Sequence, residues 1–543
     1  MLSERAARHD APGVPARSDG VGAEPRPTGA PPRPFLAGAL ALIVLALLLR
    51  LAFMGRGFSF DELFSVVTFI ETDSAWKTVS TSVNFNNHIA YSLLARLSEG
   101  LLGRSEWVLR LPALLLGLAH LLVTWRFAAW ATDERLALLT LAALALSPEH
   151  LLWSTSARGY TGLLLCTVIA TWLYLRLLGD GPAPKEATGD GLADARTGGR
   201  VADARAVGRV ADSPSERRVA AGLAVATALG VYFHLYGVIL ALVQGGLTVV
   251  LLAIGWRDPA ARPDLRRRAT LIVGALAAAA GASLVLFAPV LPAMYFSLGH
   301  NGRGSFNPGF PWSVAQELSA NTEPWIVVLA AAIGLVYLRA RRPLLALYVL
   351  VVLWVPLLGF WLASPADLFP RYFVYFLPYY LFAAVVGAYA LGRYLTGHPA
   401  GLFARRLRDP RPRRLAYAPS LLGAAAVLTS WVGQYPVYAI DEGFRDAVRA
   451  LERGAADRTA LCGFGVNAEL FQRYAERPLE FPKTGNELQQ LARRAPETHC
   501  VYRSASWESR GSAEIARFFA DRVAAGQATV ERIGDIALYR YRR

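Results

Sequence analysis

The feature that most constrains this chain is a series of apolar stretches, each of bilayer-spanning length, repeated along most of its 543 residues. A transmembrane helix needs about 20 predominantly apolar residues. Stretches of that kind occur near 35–53, 110–126, 135–153, 159–177, 219–235, 236–255, 269–291, 325–338, 343–362, 372–391 and 416–433. They predict a polytopic helical membrane protein with about eleven spans. Composition agrees, with 54% hydrophobic and 18% charged residues. Three cysteines are too few for a disulfide-built or thiolate–metal scaffold, and eight histidines show no zinc-finger or HExxH spacing. A net charge of +15 raises the question of nucleic acid. The basic residues sit in short loops between apolar runs, however, so the charge reports topology and no nucleic-acid partner is expected.

Residues 1–34 are rich in Pro, Gly, Ala and Arg and read as a disordered cytoplasmic tail. The first apolar run starts far from the N-terminus and is long enough to span, which predicts a retained anchor instead of a cleaved signal peptide. Residues 35–434 then form a transmembrane domain. Within it, 178–218 carries GRVAD and ADAR twice each and reads as a low-complexity cytoplasmic loop. His88 to Gly103 is too short to span. Leu93, Leu94, Leu97 and Leu101 share a face with Ala90, opposite Ser92, Arg96 and Glu99, as in a helix lying in the interface. With that segment not crossing, about 30 Lys and Arg fall on one side and about 7 in the short opposite loops, so the positive-inside rule puts 54–109, 154–158, 292–324, 363–371 and everything after about 434 outside the cytoplasm. Residues 435–543 mix both charge signs. Predicted helices at Phe444–Arg453 and Ala513–Ala524 alternate with predicted strands at Thr459–Phe464, His499–Arg503, Ala528–Arg532 and Ile536–Tyr541, which makes a small extracytoplasmic α/β domain. Cys462 and Cys500 fall in two of those strands, and both a disulfide and two free thiols stay open.

The loops assigned to the outer side hold the candidate chemistry. Asp61 and Glu62 follow the first span among Phe58, Phe60, Leu63 and Phe64. Their ordinary reading is a solvated loop. Held at the membrane surface, such a carboxylate gains basicity from desolvation and suits removal of a proton from a hydroxyl. Asn87 and His88 open the interfacial helix, either as an N-cap and an interfacial ring or as holders of a phosphate or hydroxyl. Arg158 with Tyr160, and Arg371 with Tyr372, stand at outer helix ends. An arginine there often only snorkels to headgroups, but guanidinium also grips phosphate through two parallel hydrogen bonds. His234 and Tyr236 lie at another outer turn, as belt residues or as sugar and acceptor contacts.

The order of these pieces is an acidic pair, then Asn86, Asn87 and His88, then Arg110, Leu111 and Pro112. Ser147 and Pro148 follow, then Ala157, Arg158, Gly159 and Tyr160, and finally Arg371 and Tyr372. Over roughly residues 35 to 395 this resembles the GT-C-fold membrane glycosyltransferases, specifically the protein-mannosyltransferase and aminoarabinose-transferase-like group, family 39 and its relatives. The resemblance implies inverting transfer of a single hexose or pentose from a polyprenyl-phosphate donor to a hydroxyl of a glycan, lipid or protein acceptor on the extracytoplasmic face; the abundance of Ala, Arg and Gly points to a GC-rich bacterial gene, and with it to a bacterial inner membrane. It matches Asp61 to the catalytic aspartate, Glu62 to its acidic neighbour and His88 to the histidine of a His-Pro-Pro-like motif, whose prolines are here Ile89 and Ala90. Arg158, Arg371, His88, Tyr160 and Tyr372 would hold the donor phosphate, with Asn87, His234 and Tyr236 toward the sugar or acceptor. Many relatives carry an acidic residue just before the arginine matched by Arg158. This chain has Ser156 and Ala157, so a divalent metal stays open and no cofactor is assigned. A flippase for lipid-linked sugars, or a ligase or polymerase of whole glycans, are the alternatives.

Overall fold

A computed structural model describes residues 33–83, 85–180, 214–255, 262–298, 306–320, 323–363, 368–397, 429–435, 442–465, 467–503 and 510–543. Most of the expected disordered tail, the repeat-bearing loop from 181 to 213 and most of the predicted span at 416–433 therefore lie outside the described residues. Among the described residues, eight helices are long and apolar enough to cross a membrane, and a bent pair makes nine. The further expected span at 219–235 forms a helix, Pro214–Phe233, whose first turn carries Glu216, Arg217 and Arg218.

The spans Tyr160–Leu177 (α8) and Pro370–Tyr394 are the most buried in the bundle, followed by α5 (Glu106–Ala131). By contrast α1 (Arg33–Leu51) exposes Leu40, Val44, Leu45, Leu48 and Leu51, an apolar surface that suits acyl chains. Pro324–Arg341 crosses Leu377–Gly397 with backbone against backbone. A methyl at Gly334 would run into the Ala383 carbonyl and one at Gly387 into the Ala330 carbonyl, so small residues set this crossing.

The single span expected over 135–153 is corrected to two pieces. Glu134–Leu146 (α6) and Pro148–Ser154 (α7) meet at 63°. Pro148 lacks an N–H and its ring clashes with the preceding turn, while the Ser147 hydroxyl accepts the His150 N–H and starts a new helix. A break at this depth leaves carbonyls without partners, and each must be answered internally. Arg50 donates to the Ala145 carbonyl at 3.0 Å, and the Tyr435 hydroxyl to that of Leu146 at 2.7 Å. Arg50 also donates to His150 Nδ1 at 2.8 Å. Guanidinium only donates, so the His150 proton is on Nε2, which donates to His120 Nδ1 at 2.9 Å, and His120 Nε2 in turn to Thr124 at 3.1 Å. One buried cation thus orders a chain of neutral rings that braces the kink.

In the first long loop, α4 (Ile89–Leu102) turns Tyr91, Ser92 and Ala95 inward and leaves Leu97, Leu101 and Leu102 exposed, as an interfacial helix requires. Ala90, placed with the leucines by sequence, is buried with Tyr91. Arg96 secures the inner face by donating to the carbonyls of Ile70 and Thr72.

The C-terminal part is a four-stranded sheet in the order β1-β2-β4-β3, with β1 (Ala460–Gly465) parallel to β2 (Glu497–Arg503), and β4 (Ile536–Arg542) antiparallel to both β2 and β3 (Ala528–Ile533). All four predicted strands are present within a few residues of their expected limits. Cys462 and Cys500 stand opposite each other on β1 and β2 and are disulfide-bonded. The helix Gly485–Arg494 was not expected, although Thr484 caps it by accepting the Glu487 N–H.

If the kink depends on this polar chain, His150→Leu leaves the Arg50 guanidinium short of a partner in a buried site. We expect a loss of about 1–3 kcal/mol, read as lower resistance to unfolding in detergent. A wild-type unfolding curve would contradict this account.

Candidate active site

The site begins with an anchor. Ser59 starts a six-residue helix, α2 (Phe60–Ser65), through a capping box: its hydroxyl accepts the Glu62 N–H and the Glu62 carboxylate accepts the Ser59 N–H. The same carboxylate takes Nε and Nη2 of Arg110, each at 2.8 Å, and the Ala157 N–H at 2.7 Å. Arg110 spends its remaining donors on the carbonyls of Met54, Arg56 and Gly57 and lies 5.0 Å from the Phe58 ring centroid. Both side chains are sealed from solvent. Burial by itself would raise the Glu62 carboxyl, but the charge and hydrogen bonds of Arg110 win and hold it at about 2. Glu62 is therefore a locked ion, and the desolvated, more basic pair anticipated from sequence does not exist at this residue.

Asp61, one residue earlier, points elsewhere. Its carboxylate meets Arg371 Nη1 at 3.0 Å, with each side chain about one-third exposed (31% and 33%) and so open to a ligand. Arg158 arrives from the turn after α7. It donates to the Asp61 carbonyl at 3.3 Å, to Ser65 Oγ at 2.7 Å and to Asn86 Oδ1 at 2.6 Å. Among the described residues, the buried Nε atoms of Arg158 and Arg371 have no hydrogen-bond partner.

A cluster of rings packs beside these charged groups. His88 lies 4.4 Å from His234 and 5.2 Å from Tyr160 between centroids, Tyr160 packs on Trp153 at 3.9 Å, and Tyr236 stacks on Tyr372 at 4.8 Å. The Gly159 N–H donates to His88 Nδ1 at 2.9 Å, so neutral His88 carries its proton on Nε2. Burial, then the nearby charges of Arg158, His234 and Arg371, depress His88 well below its usual range, and burial with the two arginines brings His234 to about 3. Both rings are neutral at physiological pH.

Of the residues singled out from sequence, Asp61, Arg158, Arg371, His88, Tyr160, His234, Tyr236 and Tyr372 are drawn into one region by these contacts. Asn87 is not. Its amide donates to the carbonyls of Thr78 and Thr81 at 2.8 Å and its oxygen accepts from Ser92, so it ties the loop together, while its neighbour Asn86 touches the arginine. Sequence reasoning also passed over Glu317, on the helix Phe310–Leu318. Burial lifts its carboxyl above the usual range while Arg371 pulls the other way, which puts a second acid within electrostatic reach of that arginine. Nothing in the local sequence marks it. Among the described residues no three His, Cys, Asp or Glu side chains gather as metal ligands. The charged partner of Asp61 is the Arg371 guanidinium.

Residues 87–185 match the family model described as dolichyl-phosphate-mannose-protein mannosyltransferase, a stretch that holds His88, Arg158 and Tyr160. Among solved structures, ArnT from Cupriavidus metallidurans bound to undecaprenyl phosphate is similar, with a TM-score of 0.51 and 17% identity over 94% of this chain and 97% of that one. The archaeal oligosaccharyltransferase AglB from Archaeoglobus fulgidus, in complex with an inhibitory peptide and a dolichol-phosphate, has a TM-score of 0.52 and 10% identity over 86% and 69%. The chain has the GT-C fold. Among curated proteins none matches it in sequence. In this GT-C fold, a multi-pass membrane bundle with a small C-terminal sheet domain, the arginines and Asp61 converge at loops and helix ends outside the apolar spans, apart from the one that Arg371 opens.

The anchor has a pH signature. A folded-state value near 2 against an ordinary 4.5 means that Glu62 stabilises the fold fully above pH 4.5 and that the gain is lost as pH falls toward 2. Glu62→Ala strands the Arg110 charge and is expected to cost about 3–5 kcal/mol. Unfolding in detergent between pH 6 and pH 3 measures both: Glu62→Ala should show a lower starting stability and a weaker acid dependence than wild type.

Proposed function

We propose that this chain is a membrane glycosyltransferase that moves one sugar from a polyprenyl-phosphate donor to an acceptor hydroxyl, with inversion, on the extracytoplasmic face. The observation that carries the reading is the Asp61–Arg371 pair beside Arg158: a carboxylate accessible to a hydroxyl, flanked by two guanidiniums with buried N–H groups unspent. The similarity to structures that contain undecaprenyl phosphate or dolichol-phosphate supports a lipid phosphate as the leaving group. The excess of basic residues in the opposite loops supports the sidedness, and a composition rich in Ala, Arg and Gly supports a bacterial inner membrane.

In this reading the donor phosphodiester carries one negative charge and draws Arg371 from Asp61. The freed carboxylate takes the acceptor proton as the acceptor oxygen bonds to the anomeric carbon. The bond from that carbon to the phosphate oxygen breaks, and the lipid phosphate leaves with two negative charges. The added charge is met by Arg158 and Arg371, with His88 as a neutral donor beside them. Tyr160, Tyr372, His234 and Tyr236 form the ring-lined wall for donor and sugar, and the acceptor is a glycan, a lipid or a protein. Glu62 holds the loop and takes no proton.

The test is sugar release or transfer from radiolabelled polyprenyl-phosphate sugars by purified protein in lipid, with and without EDTA. Asp61→Asn should abolish turnover at normal expression. Arg158→Met and Arg371→Met should each lower kcat by about 10²–10³. Full activity in Asp61→Asn would remove it as the base, and loss of activity with EDTA would assign a metal. AglB is named an oligosaccharyltransferase, so whole-glycan transfer is the second reading; turnover of oligosaccharide donors alone would favour it. No turnover, with labelled lipid crossing liposome leaflets, would favour a flippase.

A further inference from the structure

The C-terminal domain touches the loop that carries Asp61 on both sides of Ser59. Glu442 Oε2 accepts the Phe60 N–H at 3.0 Å, and the Tyr474 hydroxyl oxygen accepts the Phe58 N–H at 3.0 Å. Arg503 steadies the first contact. It lies 3.5 Å from Glu442 Oε2 and its guanidinium sits 4.3 Å from the Phe60 ring centroid, with Phe60 stacked against Phe444. Phe60 is the first residue of α2 and Asp61 the second.

An initial helix N–H has no partner within the helix and must find one outside. For α2 the Ser59 hydroxyl takes the Glu62 N–H and Glu442 takes that of Phe60. Within the membrane domain Arg110 grips the same turn through Glu62. The short helix bearing Asp61 is therefore held from two directions by two different domains, and neither holder is Asp61 itself.

We propose that Glu442 is a positioning residue for Asp61: the C-terminal domain places the base by accepting the Phe60 N–H from outside the membrane. This rests on the function proposed above for Asp61. The domain has an apolar core around Phe464, Leu488, Ile515 and Phe519, and a second buried cluster joins its Phe444, Val448 and Leu451 to Phe58, Leu63 and Val66 of the Asp61-bearing segment, so apolar packing docks the domain while the half-buried Glu442 adds the one directed contact to the Phe60 amide. An error of about 1 Å in a reacting group costs about 10²-fold in rate, which sets the size of the expected effect.

The test compares Glu442→Ala, Glu442→Gln and Tyr474→Phe in the full chain in lipid. Glu442→Ala removes the acceptor and should lower kcat about ten- to hundredfold, with donor KM little changed and the unfolding midpoint unchanged. Glu442→Gln keeps an oxygen for the Phe60 N–H and should recover most of kcat. Amide exchange of the 58–65 segment should rise in Glu442→Ala and in Tyr474→Phe but stay near wild type in Glu442→Gln. Wild-type kcat and exchange in Glu442→Ala would overturn the proposal, as would a Gln variant as slow as Ala. If wild type turns over no donor, the function assigned to Asp61 fails by itself, and exchange at 58–65 still decides whether Glu442 holds this turn.

Discussion

The ion pair between Arg110 and Glu62 is the constraint on which the site depends. It joins the turn at Met54 to Gly57 and the adjacent cap of α2 to two pieces of chain that are distant in sequence, helix α5 and the turn at Ala157. Sealing a full charge away from water is unfavourable unless nearly every donor and acceptor is answered. Here the five guanidinium N–H groups are all spent. The pair fixes the orientation of α2, from which Asp61, the residue before Glu62, leaves on a different face and meets Arg371.

A second polar system works in the same way deeper in the bundle. The break before Pro148 frees carbonyls in an apolar setting, and Arg50 and Tyr435 answer them. The helix that restarts there, α7, ends at the turn bearing Arg158. The kink is thus a means of delivering an arginine to the loops around Asp61: an unbroken helix would continue in the direction of α6. Electrostatically the two systems differ. Arg110 and Glu62 neutralise each other, whereas the rings around Arg50 are neutral and pass its polarity along a chain of hydrogen bonds.

Much of this was legible from the chain itself. Spanning runs, the interfacial helix at His88 to Gly103 and the four C-terminal strands are periodic signals generated by neighbours in sequence. The residues gathered near Asp61 were also legible in kind, because charges and aromatic residues are conspicuous at the ends of apolar runs. Their roles were less so. Asp61 and Glu62 look interchangeable in sequence, and Asn86 and Asn87 likewise, yet one member of each pair is used in holding the loop. Which one depends on the direction each side chain leaves a turn, and on partners as far away as Ala157.

Sequence by itself determined that the chain fills a membrane with helices, that a small domain of helices and strands follows, and that acidic, basic and aromatic groups cluster at loop boundaries. These follow from local hydrophobicity and propensity, which need no knowledge of distant residues. Tertiary structure alone decided that Glu62 is a sealed anchor and Asp61 an open acid, and that Glu442 reaches back to the Phe60 amide. Each of those is set by a contact between residues 48 to 382 apart, whose energy arises only when burial removes water and forces every polar group to find a partner.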